Sequence, residues 1–255
     1  MKRFSKPYFN LIKEFALSWF KATDQRKILG VLWNFLNPII ITSILYFIFN
    51  KSFGLKEHYY FLYILIGTVV WDYLSSTVQS ATAVLIWRRE MVKNVAFPKE
   101  TLILANVGVK FIGHFSGIII ILVLLAIFKI GFSSHLLFLP LVMILETLIV
   151  IGLSLVLSFI SVYIYDMEYI WAAIARMGFF LVPIFYQIKN LPQNLRMIVE
   201  INPISQILIF YRNILLDHQL PNFKNFVIVL IFATGLVIIS YKLIRKYEKS
   251  IIERV

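Results

Sequence analysis

Of 255 residues 60% are hydrophobic and only 15% charged, the mean hydropathy is +0.83, and the net charge is +12. Such a composition lies outside the range of soluble globular domains, and the absence of cysteine excludes disulfides, thiolate metal sites and cysteine nucleophiles. The basic residues stand between apolar runs instead of forming one tract, which argues for membrane topology and against nucleic acid.

The first twenty residues hold no uninterrupted apolar region, so no cleaved signal peptide is expected. From Pro7 to Phe20, Tyr8, Leu11, Ile12, Phe15 and Trp19 share one helical face, the pattern of a helix lying in the membrane interface or docked on another protein. Ile28 to Asn50 supplies a first span, interrupted by Asn34, Asn37 and Pro38; the proline removes a backbone hydrogen bond and should kink or start the helix. Lys51 to His58 forms a short outer loop. Tyr59 to Trp87 is apolar over ~43 Å of helix, longer than the hydrocarbon core, and must tilt or protrude.

Between Trp87 and Thr101 lies a polar island, WRREMVKNVAFPKET, with Arg88, Arg89, Lys93 and Lys99 against Glu90 and Glu100. Lys and Arg in short loops resist translocation, which places the island in the cytoplasm. Trp87, Met91, Val95 and Pro98 recur at helical spacing, so a short helix is expected there, presented to whatever grips it. Leu102 to Phe128 then crosses outward, Lys129 to His135 turns, Leu136 to Tyr163 returns, Asp166 and Glu168 mark a turn, Ile170 to Tyr186 crosses outward, and Phe223 to Tyr241 crosses back. The expectation is an all-α membrane protein of six transmembrane helices with both ends cytoplasmic. Sixteen of the 25 basic residues fall on that side.

The outer segment from Gln187 to Asn222 contains two apolar pieces, Leu195 to Ile201 and Ile204 to Leu216, each too short to span. Asn202 followed by Pro203 is a good helix start, the amide capping and the proline at the first helical position. Two short helices are expected, either re-entrant or resting on the outer surface.

No catalytic constellation stands out: His58, His114, His135 and His218 have no metal-ligand spacing, no serine sits in a nucleophile elbow, and no phosphate-binding GxxxxGK[ST] occurs. Asp166 and Glu168 lack a second acidic cluster with which to hold a metal and a diphosphate. Ionisable residues inside spans are costly, so Asp72, Lys110, His114, Glu146 and Arg176 either line a polar path or pair internally, for example Lys110 or Arg176 with Glu146. Trp71 and Tyr73 near mid-span, and Phe179, Phe180, Phe185 and Tyr186 toward an outer end, offer flat ring faces along which sugar rings can slide, or ordinary helix packing. Gly113 and Gly117 form a GxxxG pair that permits close helix approach.

Three stretches, KILGVLWNFLNPI (Lys27 to Ile39), MVKNVAFPKETL (Met91 to Leu102) and VPIFYQIKNLPQNLRMIVEINPISQIL (Val182 to Leu208), resemble the membrane subunits of ABC-2 type polysaccharide exporters, the O-antigen and teichoic acid permeases. Leu29, Gly30, Leu32, Trp33 and Pro38 match the first block, Phe97, Pro98 and Lys99 the second, and Pro183, Phe185, Tyr186, Leu191, Pro192, Asn202, Pro203 and Arg212 the third. The resemblance implies a single transmembrane domain over 1–255: a cytoplasmic interface and gate region (1–32), helices one to five (33–186), a periplasmic gate segment of two re-entrant helices (187–222), helix six (223–241) and a cytoplasmic tail (242–255). It implies a homodimer in the bacterial inner membrane that works with two copies of a separate ATPase, which binds ATP and magnesium, so that this chain holds no cofactor, and that moves a polyprenyl-diphosphate-linked glycan outward.

The same resemblance assigns roles to residues. Arg88, Arg89, Glu90, Met91, Lys93, Phe97, Pro98 and Lys99 would couple to the ATPase; Arg26, Lys27, Gly30 and Trp33 would border the cytoplasmic entrance. It has Leu191, Pro192, Asn202, Pro203 and Arg212 form the outer gate, while Trp71, Tyr73, Lys110, His114, Arg176, Phe180, Phe185 and Tyr186 are expected along the translocation path from their side chains alone. Two rival functions remain: a polyprenyl-linked glycan transferase or polymerase, and an ABC-2 permease for small molecules.

Overall fold

The computed structural model describes residues 6–24, 32–53 and 57–255, and among them it is helical and turn-linked, without strands. In chain order the helices are α1 (Lys6–Asp24), α2 (Leu32–Phe53), α3 (Glu57–Trp87), α4 (Arg89–Asn94), α5 (Glu100–Ile127), α6 (Leu139–Ser161), α7 (Met167–Leu181), α8 (Gln193–Ile201), α9 (Pro203–Leu215), α10 (Phe223–Lys246) and α11 (Glu248–Arg254). Four stretches among the described residues are long and apolar enough to cross a bilayer: Tyr59–Trp87 in α3, Glu100–Ile127 in α5, Ser134–Ser161, which joins a 3-10 turn to α6, and Phe223–Lys246 in α10. The protein is thus a multi-pass membrane protein.

Helix α3 is the axis. Its side chains from Leu62 to Val78 form the centre of the main apolar core, against which α2, α5, α6, α7 and α9 pack, while α10 lies along α6. Because lipid is as apolar as leucine, close packing and interhelical hydrogen bonds hold such helices together. Ser158 and Ser161 of α6 donate to the carbonyls of Ala81 (2.5 Å) and Thr82 (2.7 Å) on α3. Gly117, the second glycine of the expected GxxxG, meets α3 so closely that a Cβ would come within 2.9 Å of Val69.

Six spans were expected and four helices satisfy length and apolarity among the described residues. On the first span, the part of α2 whose side chains are described, Leu36–Phe49, is a shorter apolar helix. The expected fifth span, Ile170 to Tyr186, is instead a helix of 15 residues that stops at Leu181. Pro183 is the cause: the residue before a proline is pushed out of the helical region, and Val182 is extended at φ −86°, ψ 141°. At 1.5 Å per residue α7 reaches ~22 Å, less than the ~30 Å hydrocarbon core.

One further boundary differs from expectation and one agrees. The residues after Tyr241, expected as a tail, continue α10 to Lys246 and then form α11, whose Ile251 is fully buried. Asn202 caps α9 by accepting from the Ile204 amide at 2.9 Å, as its position before Pro203 implies. The helix it starts is buried: Ser205 to Leu208, Phe210 to Arg212 and Ile214 to Leu216 all lie inside, whereas α8 exposes Leu195, Met197, Ile198 and Ile201.

Candidate functional site

The polar island ends α3 and folds back before α5. Its short helix α4 is anchored by Val92, fully buried beside Leu85, Leu102, Ile103, Ile244 and Ile251. Of the residues at helical spacing, Trp87 and Val95 are exposed and Met91 and Pro98 half-buried. Lys99 reaches back under the island, donating from Nζ to the carbonyls of Val92 (2.6 Å) and Val95 (2.9 Å), and lies 4.3 Å from the Phe97 ring centre. A cation at the C-terminus of a helix satisfies carbonyls that have no partner along the chain. Burial pushes the Lys99 pKa below its ordinary value and the Glu248 carboxylate opposes this.

Around that anchor the island is braced from two sides. Phe15 of α1 packs edge-on against Phe97 at 5.7 Å and stacks on Trp19, over which the Arg88 guanidinium lies at 5.1 Å. On the other side α11 packs on α4, and Tyr163 meets Ser250 at 3.0 Å and the Arg254 guanidinium at 4.9 Å. What remains in solvent is Arg88, Arg89, Glu90 and Lys93, with Trp87 68% exposed. Arg89 and Glu90 form an exposed pair at 3.7 Å, which leaves the face with a net positive charge. Of the eight coupling residues expected, Lys99 is buried, Met91, Phe97 and Pro98 are half-buried, and the other four are open.

At the opposite end, the break after α7 exposes backbone that α3 and α9 satisfy. Arg212 of α9, 4% exposed, donates to the carbonyls of Pro183 (2.7 Å), Ile184 (2.8 Å) and Tyr63 (3.0 Å), with its guanidinium 3.3 Å from the Tyr63 ring centre. Tyr60 and Tyr63 donate to the carbonyls of Phe185 (2.8 Å) and Tyr186 (2.9 Å). Phe185 is the hub of an aromatic group, stacked on Phe49 at 4.9 Å and meeting Phe180 and Tyr186 edge-on. Arg212, expected at the gate, is a clasp between three segments. Pro192 precedes α8 and is exposed; Leu191, Asn202 and Pro203 are half-buried.

The interior holds a second polar group. Tyr211 of α9 donates to Glu146 Oε2 of α6 at 2.6 Å, and His114 Nε2 of α5 lies 3.1 Å from the same oxygen and 3.2 Å from the tyrosine hydroxyl. Tyr73 stacks on the His114 ring at 4.4 Å. Glu146 therefore pairs internally, with His114 and Tyr211 as partners in place of the lysine or arginine considered from sequence. Trp71, Tyr73 and His114 are all buried in the bundle, Trp71 against Gly178 of α7. Lys110 is half-buried, Arg176 is exposed, and Phe180 is 63% exposed. Arg26, Lys27 and Gly30 lie outside the described residues, and for Trp33 only the backbone is described.

Sequence reasoning missed the support of α11, the clasp role of Arg212 and the Tyr211 partner of Glu146. Each is a contact between positions far apart in the chain, 65 residues for Tyr211 and Glu146. The aromatic anchors Phe15 and Trp19 were visible as one helical face, but their partner was not.

The family model described as ABC-2 type transporter matches residues 15–216. The O-antigen export system permease protein RfbA of Klebsiella pneumoniae is 23% identical over 231 residues, covering 90% of this chain and 88% of its own length. The protein of the same name from Myxococcus xanthus is 21% identical over 204 residues, covering 79% and 78%.

Proposed function

This chain belongs to the ABC-2 type transporter family, and on that premise we propose that it is the channel-forming permease subunit of an ATP-driven exporter of polyprenyl-diphosphate-linked polysaccharide. The names of its relatives, which refer to O-antigen export, support the substrate class. In this reading it is a homodimer in the bacterial inner membrane, joined to two copies of an ATPase that holds ATP and magnesium. The island faces the cytoplasm together with both termini, and α8 and α9 stand at the periplasmic exit, α9 re-entering the membrane.

Six crossings are completed by α2 and by α7 together with Val182 to Tyr186. Past the end of α7 the chain continues through turns and bends from Val182 to Tyr186. Non-helical backbone at that depth is tolerated where protein satisfies it, and Arg212, Tyr60 and Tyr63 do so. The path runs along surfaces reached by Lys110, Arg176, Phe180, Phe185 and Tyr186, with the buried Trp71, Tyr73 and His114 holding its wall.

The observation that carries the reading is the island: exposed Arg88, Arg89 and Lys93 on a helix whose foot is locked by Val92 and Lys99. A lever must present a gripping face and transmit force, and these two features supply one each. Movement of the ATPase pushes α4, and α3 and α5, continuous with it on either side, carry the displacement into the bundle. Coupling of this kind requires a contact that differs between states. Reversing Arg88→Glu and Arg89→Glu together should abolish glycan-stimulated ATP turnover and export while leaving the chain's thermal midpoint unchanged. Normal export in the double variant refutes the island's role. A chain that purifies with no ATPase and shows glycosyl transfer would favour the enzyme reading instead.

A further inference from the structure

From Tyr59 through Ile86, a run of 28 residues at the centre of the bundle, only Asp72 is exposed. It sits ~20 Å along the helix from either end of the span, at the depth where a charge facing lipid is most costly. Lys110 of α5 stands at the same level, beside Phe111, whose ring meets that of Tyr73 at 6.2 Å, and its ammonium lies within electrostatic reach. An exposed carboxylate so placed marks water in a recess, not lipid.

The recess has a direction. Ser75, Ser76, Gln79 and Ser80 follow Asp72 on the same face of α3 toward the island end, all half-buried. One wall is α5, where Asn106 donates to Ser80 Oγ at 2.9 Å; the other is α7, where Gln79 donates to the Glu168 carbonyl at 2.9 Å and Trp171 to that of Ser75 at 3.1 Å. One turn beyond Asp72 the groove stops. Thr68 is buried and shares a hydrogen bond with Thr42 of α2 at 2.9 Å, and Tyr46 covers Tyr60 and Phe61.

Resting on the export reading, we infer that Asp72 and Lys110, at the closed inner end of this groove, form a binding site for the hydroxyl groups of the transported glycan. The lining mixes acceptors (the Asp72 carboxylate), donors (the Lys110 ammonium and the Gln79 and Asn106 carboxamides) and groups that do both (the serine hydroxyls). Its complement is a neutral chain dense in hydroxyls. An apolar small molecule would leave these groups desolvated and unmatched, and Asp72 repels a diphosphate. The site therefore separates a glycan permease from one for apolar compounds.

Because the chain has no cysteine, single cysteines report water access without background. In inside-out vesicles holding the full transporter, Asp72→Cys and Ser76→Cys should react with a membrane-impermeant maleimide, and Phe115→Cys, exposed on the outer face of α5, should not. The polysaccharide released by mild acid from the cells that make this chain should slow both reactions at least threefold. Labelling that fails at Asp72→Cys, or that the polysaccharide leaves unchanged, overturns the site. ATP-dependent glycan uptake by wild-type vesicles is measured alongside. Uptake without protection sinks this inference alone, whereas no uptake sinks the export reading. A mere brace between α3 and α5 predicts that Asp72→Asn with Lys110→Gln restores both thermal midpoint and uptake; the binding site predicts recovery of the midpoint with uptake still reduced about tenfold.

Discussion

The two ends of the bundle use cations in opposite ways. At the island end, Arg88, Arg89 and Lys93 stand in solvent on a helix whose stability comes from Val92 and its apolar neighbours. At the other end Arg212 is inside, with its fork spent on two carbonyls left open where Pro183 ends α7 and on the Tyr63 carbonyl of α3. A charge in water remains available to a partner; a charge buried on backbone is committed to its own fold. Lys99 shows that the division follows geometry and not motif, since it shares one polar island with the open arginines yet behaves as Arg212 does.

Removing the buried cation should do the most damage. Arg212→Met strands the carbonyls of Pro183 and Ile184, each costing about 1–3 kcal/mol when buried without a donor, and unties them from α3 at Tyr63. The variant is expected to lose several kcal/mol, seen as failure to purify as a single species or as a thermal midpoint well below wild type. Arg212→Lys keeps the charge but lacks the planar fork, so it should recover part of the loss. If Arg212→Met is as stable as wild type, the clasp is not what holds the non-helical segment.

Lys99→Met ranks second, because two carbonyls lose a donor and both lie near a solvent-exposed turn. A local cost of about 1–3 kcal/mol is expected, confined to α4. Hydrogen exchange should accelerate across residues 92–98 while the α3 and α5 interiors remain protected. ATP turnover should lose its response to glycan. Uniform acceleration through α3 and α5 would instead show that Lys99 supports the whole island end.

Hydropathy made the long helices legible, because α3, α5, α6 and α10 are apolar over lengths that only a bilayer demands. It misplaced the fifth span because an average over residues does not register one proline, and Pro183 ends the helix at Leu181 and turns the chain into non-helical backbone. Helix α11 was hidden for a different reason: its residues are mostly charged, and only the docking of Ile251 against Val92 and its neighbours gives them a face to bury. At the candidate site the open arginines could be read from charge in a polar loop. The inward turn of Lys99 could not, since it depends on the path of the chain through Phe97 and Pro98. Asp72 was visible as an ionisable residue inside a span, but its exposure depends on the gap between α5 and α7, which no local pattern encodes.

The smallest expected effect lies on α8, where Arg196 and Glu200 pair at 2.7 Å across one turn with both side chains about half open. They stand near the clasp in sequence and carry the same kinds of charge, so they test whether proximity to the outer end is enough to matter. An exposed pair at this spacing contributes about 0.3–0.5 kcal/mol, reduced further by salt. Arg196→Ala should leave the thermal midpoint and export within error of wild type, because Glu200 remains solvated and no carbonyl loses a donor. A drop approaching that of Arg212→Met would mean that α8 bears load, and that the contrast between solvated and buried cations does not hold at the outer end.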